Sequence, residues 1–527
     1  MADDHSLPLS ESPRARSQRA ILAGSLLAGL GVAAILLATS AMLPMTWDEG
    51  NAINRAAGIG QGQWQYTTQM EGHPAFYGIV IFLGQALSSG WLPPLASARL
   101  GPILLFGVAA GAMFWRLASD YSLAAALTGA AALVIQPRLF AHAHFAGLDG
   151  TLSACWVLAW AAFPIHGERR RAACWGVILG LTMGAKATGW LAPLPFLAWA
   201  VVRREWAAWR TLAIGLPVAL ATFYAVNPPL WSEPVQGLLT FLDLNRHRHG
   251  FNVTTQFLGQ MYDLHHPLPW YNTIVWTLAT VPVGVLVLWG FGTERSLRTR
   301  GDRGAALLLI ANWLVLLIIR ALPLAPPHDG ERLILPSFAM LAALAGIGGA
   351  RIIELAGLPL RKHAIGAVAA LCAGSATSVA WYAPQWLSYY NLLVGGLPGA
   401  TSLGMEPTYY WDGLDRSVLR WLDANSGPQE KIHFSAISRE NLALLRQWGV
   451  LTRDFQRQAP GRYRWYVLQR RPSAMLPFDH WLVRRGQPAF QKKVRSGGWG
   501  PWRLDVPIVE VYPFEQYVQA VLATRKK

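Results

Sequence analysis

Residues 21–50 read ILAGSLLAGLGVAAILLATSAMLPMTWDEG. The first 23 of them, Ile21 to Leu43, are uncharged, and Arg14, Arg16 and Arg19 stand just before. As a helix rising about 1.5 Å per residue, such a run crosses the roughly 30 Å of a bilayer core. It is also longer than the apolar core of a signal peptide, so it reads as a retained first span. Directly behind it comes an acidic pair, Asp48-Glu49, set against the membrane surface.

The rest of the chain has the same character. Of 527 residues, 53% are hydrophobic and 14% charged, with 25 Trp and a mean hydropathy of +0.27. That is about half the charge of a soluble domain. It excludes a disordered chain, a coiled coil and a secreted disulfide scaffold, and it indicates a multispanning membrane protein. The net charge of +16 would suggest nucleic acid in a soluble protein, but the arginines gather between apolar runs, as topology-setting charges do. Cys155, Cys174 and Cys372 all lie in apolar segments, which implies neither a disulfide framework nor a zinc site.

Further apolar stretches fall near 96–116, 121–137, 149–165, 172–187, 188–202, 211–228, 271–292, 304–322, 333–350 and 364–383, giving eleven expected spans with the first. Residues 75–90 are apolar too, and charge decides their place. If they do not cross, one side of the membrane receives 17 basic loop residues, among them Arg169–Arg171, Arg203, Arg204, Arg295, Arg298 and Arg351. If they cross, every later cluster flips outward against the positive-inside rule. The segment is therefore expected to lie along the outer interface as an amphipathic or re-entrant helix. This sets a cytoplasmic tail at 1–19, a membrane bundle at 20–383 with a first outer loop at about 44–95, and an outer C-terminal region at 384–527. That region holds 20 Lys/Arg and 11 Asp/Glu and no run long enough to span. Strand-like alternation at Lys431–Ser435 and Tyr463–Leu468, with helical spacing at Glu440–Trp448, predicts a small α/β domain.

With this topology the costly polar groups collect outside. They include Asp48 and Glu49, then His73 in Glu71-Gly72-His73-Pro74, and Arg138, His142 and His144 in the second outer loop. Asp149 opens the fourth span, Lys186 stands between Gly184 and Gly189, the 229–270 loop carries Arg246 to His249, and the fifth loop reads His328-Asp329-Gly330-Glu331-Arg332. Ten of the 13 histidines lie outside. Each feature has a plain alternative: Asp48-Glu49 as a solvated span end, Lys186 as a snorkelling side chain, the His-x-His pair as isolated loop histidines. Asp149 resists this reading, because a carboxylate at membrane depth costs a few kcal/mol unless paired.

Carboxylates and cations on one membrane face suit the transfer of a sugar from a lipid phosphate. One carboxylate serves as base toward the acceptor, a second orients the acceptor or holds a divalent metal, and Lys, Arg or the metal stabilises the departing phosphate.

An Asp-Glu pair after span one, a long first loop ending in a Pro-containing motif and an Asp opening span four resemble the GT-C glycosyltransferases. The branch of protein O-mannosyltransferases and lipid A aminoarabinose transferases is most similar. The resemblance covers about 40–350, strongest over 46–190; Arg332-Leu-Ile-Leu-Pro336, Asn391–Gly399 and Glu406-Pro-Thr-Tyr-Tyr-Trp411 add to it. It implies an α-helical GT-C-like bundle, a polyprenyl-phosphate sugar as donor, inversion at the anomeric carbon, and an acceptor outside the cytoplasm that is a protein, lipid or polysaccharide. Asp48 takes the place of the family's first-loop base or metal ligand, Glu49 completes the pair, and Asp149 matches the second-loop aspartate. Where the aminoarabinose branch has a lysine before proline, this chain has His73. The phosphate contact then falls to His73, Lys186, Arg138 or Arg332, and a metal, if used, to Asp48, Asp149 and His73. Two other classes stand against the enzyme: a transporter with Asp149 and Lys186 as coupling charges, and a non-catalytic membrane scaffold.

Overall fold

The computed structural model describes residues 13–64, 72–165, 167–246, 253–298, 303–323, 325–327, 329–427, 429–452, 463–496 and 504–525. Glu71, the His247–His249 stretch and His328 fall outside these residues.

The first span forms as expected. Helix Pro13–Thr39 runs on through a 3-10 turn, Ser40–Met42, and packs along helix Pro94–Asp120, where the Ser25 hydroxyl donates to the Gly111 carbonyl at 2.7 Å. Among the described residues, five segments are long and apolar enough to cross a membrane: Gln18–Met42, Pro94–Asp120, Trp206–Ala225, Arg332–Leu355 and Gly357–Tyr382. The other expected spans meet shorter helices, so the count of eleven is not confirmed by helix length and hydropathy among the described residues. Proline explains two of the breaks. Pro282 divides the 271–292 stretch into Asn272–Thr280 and Val283–Arg298, and Pro193 restarts the chain as Pro193–Arg203 after a 3-10 turn.

Residues 75–90 form helix Phe76–Ser88, 13 residues and so about 20 Å long, too short to cross a core of roughly 30 Å unaided. Tyr77, Val80 and Ile81 are buried, on the side toward Pro94–Asp120, while Leu83 and Leu87 are exposed. Helix Leu335–Leu355 lies at the centre of the bundle and is buried from Leu335 to Ala350. It meets Val283–Arg298 at backbone contact: a Cβ on Gly292 or Gly348 would lie 1.8 Å from the opposing carbonyl of Leu344 or Leu288. Small residues permit this approach, the usual means of holding helices together where lipid supplies no hydrophobic drive.

After Tyr382 the chain builds a mixed sheet. Strands β3 (Lys431–Phe434), β4 (Tyr463–Gln469), β5 (Phe490–Ser496) and β6 (Leu504–Pro513) pair in the order β3-β4-β6-β5, with β3/β4 parallel and the other pairs antiparallel. A separate hairpin pairs β1 (Thr255–Phe257) with β2 (Gln260–Tyr262). Helix Arg439–Gln447, whose first turn is capped by the Ser438 hydroxyl on Asn441 N at 3.0 Å, packs against helix Glu49–Gly60.

Candidate active site

Asp48 is the N-cap residue of helix Glu49–Gly60, and successive residues there project about 100° apart, so the two acids part company. Glu49 turns inward, 1% exposed, and grips Arg99: Nε donates to Oε1 and Nη2 to Oε2, both at 2.8 Å. Thr46 and Ala146 add backbone N–H donors at 3.0 Å. Arg99 spends its remaining N–H groups on the carbonyls of Ser40, Leu43 and Pro44, closing the end of the first span. Asp48 turns the other way. Its Oδ2 accepts from the Tyr410 hydroxyl at 2.8 Å and lies 3.1 Å from Arg332 Nη2.

Arg332 organises the site. Its Nη2 meets Asp48, its Nε lies 3.0 Å from Asp149 Oδ2 and its Nη1 3.0 Å from Asp329 Oδ2, while its guanidinium sits 4.5 Å over the Tyr410 ring. Three carboxylates from three separate segments thus converge on one planar cation, which a point charge such as lysine could not serve. Asp149 stands in the first turn of helix Leu148–Ala162, where the helix dipole favours an anion, and its other oxygen takes Lys186 Nζ at 2.5 Å. Lys186 is reached because helix Arg169–Ala185 ends there in extended backbone.

A second layer lies beneath. Arg138 Nη1 donates to Glu331 Oε2 at 2.7 Å and its Nε to the Tyr389 carbonyl at 2.8 Å, with the Tyr390 ring 4.3 Å away. The Tyr409 hydroxyl donates to Glu331 Oε1 at 2.6 Å. Arg471, fully buried, reaches Asp329 at 3.1 Å and Glu406 at 3.4 Å and lies 4.2 Å over the Trp411 ring. Asp329 adopts a left-handed backbone conformation, φ +61°, that turns its carboxylate between the two arginines.

Helix Arg439–Gln447 also grips the Thr46–Gly50 turn. Asn441 accepts from Gly50 N at 2.8 Å and donates to the Thr46 carbonyl at 2.7 Å, bracketing Asp48 from both sides. Only glycine fits at position 50, because a Cβ there would lie 2.4 Å from Asn441 Oδ1.

Of the residues singled out in the sequence, Asp48, Asp149, Lys186 and Arg332 come together. Glu49 faces Arg99 instead, and Arg138 belongs to the layer below. His73 is half-buried in the turn where Gly72 O accepts from Asn245 and Ala75 N donates to Asn227. The His-x-His pair diverges, since residues two apart on a helical turn do not face each other. His142 Nε2 lies 3.1 Å from the Tyr409 hydroxyl, and His144 bridges Thr39 at 2.8 Å and the Phe140 carbonyl at 2.7 Å. Burial pushes both imidazoles down to about 3 from an ordinary 6.5, so they are neutral. Burial likewise raises Tyr410 well above the ordinary phenol range, which keeps it a donor to Asp48.

The metal set fits poorly. Asp48 and Asp149 already share a guanidinium, and among the described residues no three His, Cys, Asp or Glu side chains are placed to hold an ion. Tyr410, Arg471 and Asn441 carried no sequence signal of their own. The Tyr-Tyr-Trp run at 409–411 offered the nearest hint, as part of a motif without an assigned role.

No protein-family model matches the chain, and no curated protein matches its sequence. The fold does have solved counterparts. ArnT from Cupriavidus metallidurans bound to undecaprenyl phosphate superposes with a TM-score of 0.55 at 15% identity, covering 93% of this chain and 98% of that one. Its apo form gives the same TM-score and identity over 94% and 99%. The Archaeoglobus fulgidus oligosaccharyltransferase in its apo form reaches 0.49 at 10% identity, over 86% of this chain and 69% of that one. The chain has the fold of ArnT.

Proposed function

We propose, from the fold shared with ArnT, that this chain is a membrane glycosyltransferase. It moves a sugar from a polyprenyl-phosphate donor to an acceptor outside the cytoplasm, with inversion. It resides in the cytoplasmic membrane, N-terminus inside, with the carboxylate cluster and residues 384–527 outside. The observation that carries this reading is the convergence of Asp48, Asp149 and Asp329 on Arg332, with Lys186 alongside. The ArnT structure, which holds undecaprenyl phosphate, supports the lipid-phosphate donor.

In this mechanism Asp48 is the base. It is the most open carboxylate of the cluster, 27% exposed against 4% for Asp149 and 8% for Asp329. The acceptor oxygen forms a bond to the anomeric carbon on the face opposite the phosphate, and its proton passes to Asp48. The bond from that carbon to the phosphate oxygen breaks, and its electron pair leaves with the polyprenyl phosphate. Lys186 and Arg332 neutralise the growing negative charge, the task otherwise given to a metal. An incoming donor phosphate draws Arg332 from Asp48, 3.1 Å away, and frees that carboxylate oxygen to accept from the acceptor hydroxyl. Glu49 takes a positioning role through Arg99, and Asp149 holds Lys186 and Arg332 in place.

The test uses purified protein with a panel of radiolabelled polyprenyl-phosphate sugars and membrane extract or water as acceptor, with and without a chelator. Wild type transfers or releases sugar from one donor, the chelator changes nothing, and Asp48→Asn is inactive while inserted and folded. Wild-type rates in Asp48→Asn would remove it as base. No turnover with any donor would remove the glycosyltransferase reading in favour of a transporter or scaffold.

A further inference from the structure

A second polar cluster lies at the far end of the bundle. Arg351 follows Arg332 by 19 residues along the continuous helical segment Arg332–Leu355, a 3-10 turn running into helix Leu335–Leu355, about 29 Å at the helical rise and close to the roughly 30 Å of a bilayer core. The carboxylate site and Arg351 therefore stand at opposite faces of the membrane.

Between that helix and Val283–Arg298 runs a groove of about 530 Å³, lined by Leu286, Val287, Gly290, Phe291 and Leu355 and closed at one end by Glu294, Arg298 and Arg351. From Leu286 to Arg298 it measures about 18 Å, the depth of one leaflet with its headgroup edge. Position 290 leaves it open, since a Cβ there would meet nothing within 4 Å. Among the described residues, the charges at the mouth do not balance. Glu294 serves Arg298 at 2.9 Å and lies 3.6 Å from Arg351 Nε, so two guanidinium groups share one carboxylate. Arg351 Nε is buried without a hydrogen-bond partner among the described residues. The neighbouring Arg295 is neutralised by Glu354 at 2.7 Å and does not relieve the excess.

We infer that this groove binds an anionic glycerophospholipid of the leaflet opposite the carboxylate site. Its phosphodiester lies between Arg298 and Arg351, and an acyl chain fills the channel from Phe291 to Leu286. A soluble phosphate would leave the apolar walls uncovered, and a choline headgroup would bring a second cation to a mouth already in excess. Basic pockets between spanning helices recognise anionic headgroups by this pairing of charge and hydrocarbon.

The test is thermal unfolding of the full-length protein in detergent, titrated with phosphatidylglycerol, phosphatidylcholine or undecaprenyl phosphate. Phosphatidylglycerol is expected to raise the Tm of wild type well beyond phosphatidylcholine, and Arg298→Ala/Arg351→Ala to need about tenfold or more lipid for the same shift. Gly290→Leu fills the channel without touching either arginine. It is expected to keep the lipid-free Tm and lose the phosphatidylglycerol shift. Equal shifts from both phospholipids, or a phosphatidylglycerol shift that survives in Gly290→Leu, would overturn the assignment. So would a response to undecaprenyl phosphate alone.

Discussion

Asp48 and Glu49 are bonded neighbours that answer to different arginines: Arg332 lies 3.1 Å from Asp48, and Arg99 clasps Glu49 with two bonds of 2.8 Å. One acid looks into the cluster with a quarter of its surface open. The other is sealed under the first span, with all its donors drawn from the protein.

Their substitutions should therefore separate. Glu49→Gln leaves Arg99 buried and uncompensated, a loss of about 3–5 kcal/mol, and should show as low yield and a depressed Tm. Asp48→Asn should keep the wild-type Tm within a degree or two and lose transfer. Tm and turnover measured on the same preparations check this. Equal stability loss in both variants would contradict the division of roles.

Arg332→Lys keeps the charge but cannot address three carboxylates at once. Turnover should fall by about a hundredfold with one phosphate-stabilising fork removed, and by more in Arg332→Ala. Steady-state rates at saturating donor measure it, and a near-wild-type rate in Arg332→Lys would show that position matters less than charge.

Asn441 acts on the site through the Thr46–Gly50 turn. Removing both bonds in Asn441→Ala should lower kcat about tenfold and leave donor KM nearly unchanged, as when an interaction made in the transition state is lost. Leu482→Ala, on helix Pro477–Arg485 and buried with Tyr466, Leu468 and Tyr512 in a separate apolar cluster, should lower Tm without moving kcat. A change in KM alone for Asn441→Ala would point to donor binding instead.

His142 and His144 set an acid limit on stability. Folded, each titrates at about 3; unfolded, each takes a proton near 6.5. The unfolded chain thus binds more protons between these values. The stability from neutral burial is complete above about pH 6.5 and declines as pH falls toward 3, by about 1.4 kcal/mol per pH unit per group. Unfolding followed against pH should show this decline, flattened in His144→Gln. A pH-independent Tm across the window would contradict the buried neutral state.

The amino-acid sequence by itself determined the apolar runs, the bias of their flanking charges, the strands at 431–434 and 463–469, and the four residues Asp48, Asp149, Lys186 and Arg332. Each is written in the preference of successive side chains for lipid, water or a neighbour, and such preferences are local. Pairing across the chain is not. That Glu49 faces Arg99, that Arg138 serves Glu331 across 193 residues, and that Asn441 brackets a turn 391 residues before it follow from how helices and sheet pack. No periodicity encodes these partners. A buried charge takes whichever opposite charge the packed elements bring within reach, and only the tertiary structure decides which that is.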